Sequence, residues 1–491
     1  MNFNIWLILA VFLPIACGVL ILFFPGLKKR NLLLGVSFLS LAVSMLCALA
    51  VIAEGKAELH LLQFGGSLEV YFHVDPLGRV FAAVITVVWL MAGIFSCEYM
   101  KHEKEEKRYF GFYVLVYGVL MALCFSGNLV TYYMFYEMMT LTTLPLIMHN
   151  KSREAIMAGL KYLFYSLCGA YLVLFGIYFL NRYAGTLDFT AGGSGLEAAG
   201  GHSALMLVVV FLMILGFGVK AGMFPMHAWL PTAHPVAPAP ASAVLSGLVV
   251  KMGVLGIVRV IFYVVGPEVI RGTWVQTAWL TLTLITVFMG SMLAYREKVM
   301  KKRLAYSTVS QISYILFGLA LLNPEAMTGS LLHVVFHACI KSCLFLRAGA
   351  VIYKTGKTRV DELTGIGKEM PVTIWCYTFA SLALVGIPPA SGFISKWYLA
   401  GGSLESGIPV FSWLGPVVLL VSALLTAGYL LPITIRGFLP GADYDYEGLQ
   451  KKEPSGVMVI PLLILAGLSV LLGTFPNPLI HYLNEIIGTL F

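Results

Sequence analysis

The sequence predicts an all-α integral membrane protein with about fourteen transmembrane helices, and three observations predict it. First, 59% of the 491 residues are hydrophobic and only 11% are charged, against roughly 25% charged in an ordinary soluble domain. So little charge cannot cover a surface facing water, and a single soluble core stops growing at about 250–300 residues. Second, apolar runs of the roughly 20 residues that cross a hydrocarbon core recur along the whole chain. Third, lysines and arginines cluster between alternate runs, as they do in loops held on the cytoplasmic side of a bilayer.

The first run is uncharged from Ile5 to Phe24 and lacks both a basic leading segment and a small-residue cleavage site. It therefore reads as span 1 (4–24) rather than as a removed signal. Spans 2 and 3 follow at 31–53 and 76–97, and span 4 (109–126) is parted from span 5 (128–148) only by Ser126, Gly127 and Asn128. Spans 6, 7 and 8 are 155–181, 204–226 and 236–264; spans 9, 10 and 11 are 273–295, 303–323 and 326–353. Spans 12, 13 and 14 close the series at 371–399, 409–436 and 456–478. The longest polar connections are 54–75 and the Gly-rich 182–203, the second read as an outer loop.

Basic clusters follow the odd-numbered spans, as at Lys28, Lys29 and Arg30, at Lys101, Lys104, Lys107 and Arg108, and at Arg296, Lys298, Lys301, Lys302 and Arg303. After even-numbered spans stand only Lys56, Arg79, Arg182 and Arg271. This alternation makes the number of spans even and puts both termini on the outer side. The net charge of +8 is spent in these clusters rather than in one solvated patch, so no nucleic-acid partner is expected.

Two places break the helical pattern inside the membrane region. One is Val219–Gly247, with Pro225, Pro231, Pro235, Pro238 and Pro240; the other is Val385–Trp397, with Pro388, Pro389 and Gly392. Proline removes a helical donor and clashes with the preceding turn. The freed backbone groups must then be buried in protein or line a wet cavity, which is where transporters keep their sites. Interrupted segments in corresponding positions of two halves point to an inverted repeat.

A charge at mid-span costs roughly 2.5–3.5 kcal/mol on insertion scales, so each one needs a partner or a cavity. The deep candidates are Glu137 in span 5, Lys220 in span 7, Lys251 in span 8, His333, His337 and Lys341 in span 11, and Lys396 in span 12. Glu137 and Lys220 are expected to pair across helices, as a static ion pair or as a switch, since burial favours a neutral lysine and a nearby carboxylate a charged one. His333, His337 and Lys341 are spaced i, i+4 and i+8, one helical face. Linked by water, such a stripe relays protons near neutral pH; a lone buried histidine is more often a packing residue. Lys161, near the start of span 6, is long enough to snorkel to the surface. His227 and His234, in the first interruption, are candidate cytoplasmic proton inlets, and Asp75 is as well placed to cap a helix.

All eight cysteines fall in apolar runs, and His337, Cys339 and Cys343 do not form a metal-ligand pattern. The chain shows no phosphate-binding Gly-x-x-x-x-Gly-Lys loop, no dinucleotide fingerprint and no cysteine spacing for iron and sulfur. No cofactor or metal is expected, and the energy for transport is left to an ion gradient or a partner.

The motifs resemble those of the antiporter-like proton-channel subunits shared by respiratory complex I, Mrp-type Na+/H+ antiporters and membrane-bound hydrogenases. The resemblance rests on NLVTYYMFYEMM around Glu137, FGVKAGMFPMHAWLPTAHPVAPAPASAVLSGLVVKMG from Phe217 to Gly253, KKRLAYSTVSQISY from Lys301, HVVFHACIKSCLFLRAG from His333 and GIPPASGFISKW from Gly386. The long second segment is the most specific. The resemblance implies Glu137 and Lys220 as the working pair, Lys251 with His333, His337 and Lys341 as the relay, and Lys396 as the exit. It also implies fourteen helices, with inverted repeats over helices 4–8 and 9–13 and breaks in helices 7 and 12. The chain then divides into 1–100, 101–270, 271–440 and 441–491. Lysine at 396 stands where some members carry glutamate, which narrows the subtype.

The leading expectation is a proton-translocating subunit of a redox-driven multisubunit complex, complex I-like or of the membrane-bound hydrogenase type, without redox chemistry of its own. It would sit in a bacterial or archaeal cytoplasmic membrane beside homologous antiporter-like subunits. The alternative is a subunit of an Mrp-type antiporter that also moves Na+. A solute transporter and a quinone-reducing enzyme are weaker readings, the first for want of polar neutral groups in the spans, the second for want of a cofactor motif.

Overall fold

The computed structural model describes residues 3–27, 29–65, 68–193, 203–441, 444 and 449–491. Lys28 of the first basic cluster and residues 194–202 of the expected outer loop lie outside the described residues. The chain opens with α1 (Phe3–Phe23) and α2 (Arg30–Glu54), then a hairpin of β1 (Glu58–Gly65) and β2 (Leu68–His73). It continues through α3 (Pro76–Tyr99), α4 (Glu106–Cys124), α5 (Leu129–Ile147), α6 (Arg153–Tyr183) and α7 (Ser203–Ala221). The short α8 (Leu230–Val236) precedes α9 (Ala239–Val244) and α10 (Val250–Val258), with π-helical stretches at Leu245–Val249 and Arg259–Val265. Next come α11 (Pro267–Ile270), α12 (Trp274–Arg296), α13 (Met300–Ala320), α14 (Pro324–Thr355) and α15 (Ile366–Glu369). The chain ends with α16 (Pro371–Val385), α17 (Ser391–Glu405), α18 (Phe411–Phe438), α19 (Gly456–Thr474) and α20 (Asn477–Ile487).

This is a multi-pass helical membrane protein. Among the described residues, 11 helices are long and apolar enough to cross a membrane, the run Ala239–Val265 being one of them. The difference from the expected fourteen has a physical cause. α5 and α13 have the length, but α5 carries threonine, tyrosine and Glu137 through its middle, and α13 opens on Lys301, Lys302 and Arg303 and continues with serine, threonine and tyrosine. Expected span 12 is cut by its break into α16 and α17, of 15 residues each.

The membrane region is all-α, as expected, and one polar connection adds a hairpin to it. The polar connection 54–75 folds as an antiparallel hairpin, stitched to the α4–α5 junction by His73 N donating to Phe125 O at 2.8 Å and Gly127 N to Tyr71 O at 3.1 Å. Its inner strand buries Val70 and Phe72 alternately with more exposed neighbours, a period of two that a strand requires. A second departure is α20, which lies almost wholly beyond the expected end of span 14 at 478.

Asparagine and serine set several helix starts. Asn128 accepts from Thr131 N at 2.8 Å, Ser152 from Ala155 N at 3.1 Å and Asn323 from Ala326 N at 2.8 Å, each satisfying one of the orphan N–H groups of a first turn. The centre of the molecule is α14. Every residue from Ala326 to Val351 is buried, and α14 packs against α3, α9, α13, α16, α17, α19 and α20. A helix enclosed on all sides can carry polar groups that never meet lipid, and α14 carries three of the candidate residues.

Candidate functional site

Two chain breaks position the buried ionisable groups. At the first, α7 ends one residue after Lys220 and Gly222 turns the chain at φ 75°, where a Cβ would stand 2.3 Å from Leu230 Cδ1. Only glycine fits that backbone. The Trp229 indole folds back to donate to Val219 O at 2.8 Å, and Phe224 N donates to Thr286 Oγ1 at 3.0 Å. At the second, α16 ends at Val385 and Gly386 takes φ 94°. Lys396 on α17 turns its ammonium onto the freed carbonyls, donating to Leu384 O at 2.7 Å and Val385 O at 2.8 Å.

Lys220 is fully buried, and its surroundings correct the expected ion pair. Its Nζ donates to Thr140 Oγ1 at 2.9 Å, Tyr162 OH at 2.9 Å and Ser166 Oγ at 2.8 Å. An ammonium has three N–H donors, and these three hydroxyls from α5 and α6 take all of them. Glu137 lies one turn before Thr140, half-buried, with no ion pair to Lys220 and with Oε1 unpartnered. Three hydroxyls, rather than the carboxylate, take the donors of the ammonium.

A longer row runs along α14. Lys251 Nζ donates to His337 Nδ1 at 2.8 Å and to Ser246 O at 3.3 Å. The His337 and His333 rings lie 5.8 Å apart. His333 meets Ser395 Oγ at 2.9 Å through Nδ1 and Gln311 Oε1 at 3.2 Å through Nε2. Its ring stacks on Tyr314 at 5.8 Å, and the Tyr314 ring in turn lies 5.1 Å from Lys396 Nζ. Lys251, His337, His333 and Lys396 are thus brought together along α14. Lys341 stands apart from that row: its Nζ donates across to Leu304 O on α13 at 3.2 Å.

The candidate inlets are not hydrogen-bonded to the row. His227 is half-buried and stacks on Phe224, while His234 is fully buried against Phe345, with neither ring nitrogen hydrogen-bonded. Lys161 does not snorkel; it donates to Thr232 Oγ1 at 3.1 Å and ties α6 to α8. Asp75 caps α3 through Gly78 N at 3.0 Å and also pairs twice with Arg259, at 2.7 and 2.6 Å.

The sequence reading missed Arg259 and Arg347. Arg259 is buried between Phe189 and Tyr263, 4.7 Å from each ring. Arg347 is buried on α14 with Tyr377 at 4.3 Å and Met300 Sδ at 3.7 Å. Both were legible as single charges inside apolar runs. Thr140, Tyr162 and Ser166 were missed as well, although the i, i+4 spacing of the last two marks one polar face of α6. All eight cysteines are free thiols.

Fold and site together define a multi-pass membrane protein with a buried axis of lysines and histidines. The chain belongs to the NADH:quinone oxidoreductase/Mrp antiporter transmembrane family, whose pattern matches residues 126–426. Residues 62–110 match the N-terminal region of chain 5 of NADH-ubiquinone oxidoreductase (complex I). The relatives include subunits of an oxidoreductase, a hydrogenase and an antiporter. The chain is 32% identical over 422 residues to an NADH-quinone oxidoreductase subunit of Desulforudis audaxviator, covering 83% of this chain and 82% of that one. It is 30% identical over 421 residues to a hydrogenase-4 component of Escherichia coli, covering 81% of this chain and 61% of that one. It is 28% identical over 495 residues to a Na(+)/H(+) antiporter subunit of Bacillus subtilis, covering 99% and 97%. A chain in the structure of the Mrp complex from Dietzia sp. DQ12-45-1b has the same fold, with a TM-score of 0.83 at 21% identity over 99% of this chain and 98% of that one.

Proposed function

We propose that this chain moves protons through its buried lysines and histidines as a membrane subunit of a redox-driven multisubunit complex, complex I-like or of the hydrogenase type. The observation that carries the reading is the 2.8 Å bond between Lys251 and His337, continued by His333 toward Lys396. A static polar core would need only pairwise satisfaction, whereas here titratable groups follow one another along a single enclosed helix. In this reading a protonated Lys251 gives its proton to His337 Nδ1 and becomes neutral. His337 releases one from Nε2 toward His333, and Lys396 takes up the last. Lys341 feeds the row from the α13 side, and His227 and His234 are the inlets. Lys220 and Glu137 are the switch: approach of the carboxylate favours a charged lysine, and its withdrawal favours proton release from the buried ammonium.

The fold assigned with this function has fourteen spans, α5, α13 and the broken pair α16–α17 completing the eleven. Its regions are 1–100, 101–270, 271–440 and 441–491, with inverted repeats over spans 4–8 and 9–13. One break per repeat, each close to a buried lysine, supports that symmetry. The basic loops face the cytoplasm of a bacterial or archaeal cell and both termini lie outside. The neighbours are homologous antiporter-like subunits.

The test is proton pumping by the reconstituted complex. Lys220→Ala and Glu137→Gln are each expected to abolish most of the flux while electron transfer persists; pumping at the normal rate overturns the mechanism. A second reading, a subunit of an Mrp-type antiporter, is favoured by the end-to-end match with the Bacillus subtilis antiporter subunit. Na+-dependent proton flux without any electron donor would select it.

A further inference from the structure

We propose that the groove between α3, α14, α19 and α20 binds an anionic phospholipid, with one acyl chain along the groove and the phosphate on Arg79. The groove encloses about 460 Å³. Each wall is one helical face. α3 contributes Val80, Ala83, Val84 and Val87 at spacings of three and four, and α19 contributes Leu468 and Leu472 at a spacing of four. The floor is Val335 and Cys339 of α14, both buried. At 3.6 residues per turn these two lie about 200° around α14 from His333 and His337. The groove thus runs along the back of the helix that carries the polar row.

The mouth has the opposite chemistry. Arg79 lies in the first turn of α3, at the depth where a span meets lipid headgroups. Its guanidinium is 5.7 Å from the Tyr482 ring, and no carboxylate lies within ion-pair distance of it among the described residues. Arg259 makes the contrast, since it takes both oxygens of Asp75, the carboxylate one turn before Arg79. Beside the mouth lies α20, a short amphipathic helix. It turns Leu479 and Tyr482 to the groove and buries Leu483, Ile486 and Ile487, while His481 and Glu485 stay 83% and 65% exposed. Such a helix rests in the headgroup plane with its apolar face inward.

Charge selects the occupant. An unpaired arginine over an apolar channel matches a phosphate joined to a hydrocarbon chain. A helix of a neighbouring subunit would have to bring its own carboxylate to meet Arg79, whereas a phospholipid carries its anion on the same molecule that fills the groove. Val87 is 39% exposed, so one flank opens sideways to the bilayer and a chain can slide in. A bound chain would seal the back of α14 against water.

The experiment is native mass spectrometry of the purified protein with phosphatidylglycerol or phosphatidylcholine added, alongside thermal unfolding with each. Phosphatidylglycerol is expected to be retained about fivefold better, the factor one arginine at a membrane surface supplies. Arg79→Gln should erase the preference, and Val84→Trp, which fills the groove, should lower retention of both lipids. Inorganic phosphate alone should not shift the unfolding transition; a shift equal to that of the lipid would replace the lipid with a free anion. Equal retention of the two lipids by the native chain, or an unchanged preference in Arg79→Gln, overturns the proposal. A protein-to-protein crosslink from Cys339 in the intact complex, with no lipid retained, overturns it in favour of a neighbouring subunit. None of these readouts depends on proton flux.

Discussion

At the first break in the membrane core the carbonyl of Val219 is met by two neutral donors, the Gly222 amide and the Trp229 indole, and at the second the freed carbonyls of Leu384 and Val385 are met by the ammonium of Lys396. The two breaks look alike in sequence, each rich in proline and followed or preceded by a lysine. They differ in where the lysine sends its charge. Lys220 gives its three donors to side-chain hydroxyls and leaves the broken backbone to Trp229. Lys396 is itself the cap. Its protonation state and the local backbone are therefore coupled, whereas at the first break they are separate. The difference suggests two duties: a lysine that can change charge without unfastening its break, and a lysine whose charge fastens it.

The largest effect should come from breaking that coupling. Lys396→Met leaves two partly buried carbonyls without this donor, at up to about 1–3 kcal/mol each, and should both lower resistance to unfolding in mixed micelles and stop proton transport in the assembled complex. Lys396→Arg separates the two losses. Arginine supplies enough donors to cap both carbonyls but does not give up its proton, so stability should return and transport should not. Transport at the normal rate in Lys396→Arg would make Lys396 a static cap and remove it from the row.

The next effect concerns the link that Lys396 shares with the first half. Lys251→Met and His337→Phe, made singly and together, should show a coupling of roughly 1.5–3 kcal/mol in a double-mutant cycle on unfolding, as a hydrogen bond to a charged group does. Strictly additive losses would mean that the 2.8 Å contact carries no energy.

How much of this was legible beforehand follows from what each signal measures. The bilayer ruler finds long apolar runs, so it found α1, α2, α12 and α14, and proline found both breaks. It passed over the hairpin, whose strands of 8 and 6 residues alternate with a period of two. It also left α20 unassigned beyond span 14, because an 11-residue amphipathic helix lacks the long apolar run that the ruler measures. The stripe on α14 was readable because all its members share one helix. The Lys220 cage was not, because its acceptors come from α5 and α6, and sequence spacing does not say which faces of different helices meet. A neutral hydroxyl does not stand out in a span as a charge does, so the lone glutamate drew the pairing that Thr140, Tyr162 and Ser166 hold. Arg259 and Asp75 were hidden for the same reason, being 184 residues apart.

The hydroxyl cage sharpens the comparison from the other side. Tyr162→Phe removes one of three acceptors from a buried ammonium while keeping the ring that lies 4.3 Å from Nζ. The loss should be about 1–3 kcal/mol, and the free donor should draw Glu137 toward Lys220. A Glu137 carboxylate infrared band that moves in Tyr162→Phe, and stays in place in Lys396→Met, would tie the carboxylate to this cage alone. A band unmoved in both would leave Glu137 outside the switch.

The smallest effect should be at the indole. Trp229→Phe keeps most of the packing against the Tyr162 ring, 4.9 Å away, and deletes a single neutral N–H donor to Val219 O. A net loss near 1 kcal/mol is expected, too little to unfold the chain. Proton transport should continue, because the cap at this break bears no charge and the three hydroxyls around Lys220 are untouched. If transport falls as far in Trp229→Phe as in Lys396→Met, the first break is also coupled to its lysine, through the one peptide between Val219 O and Lys220, and the two breaks work in the same way after all.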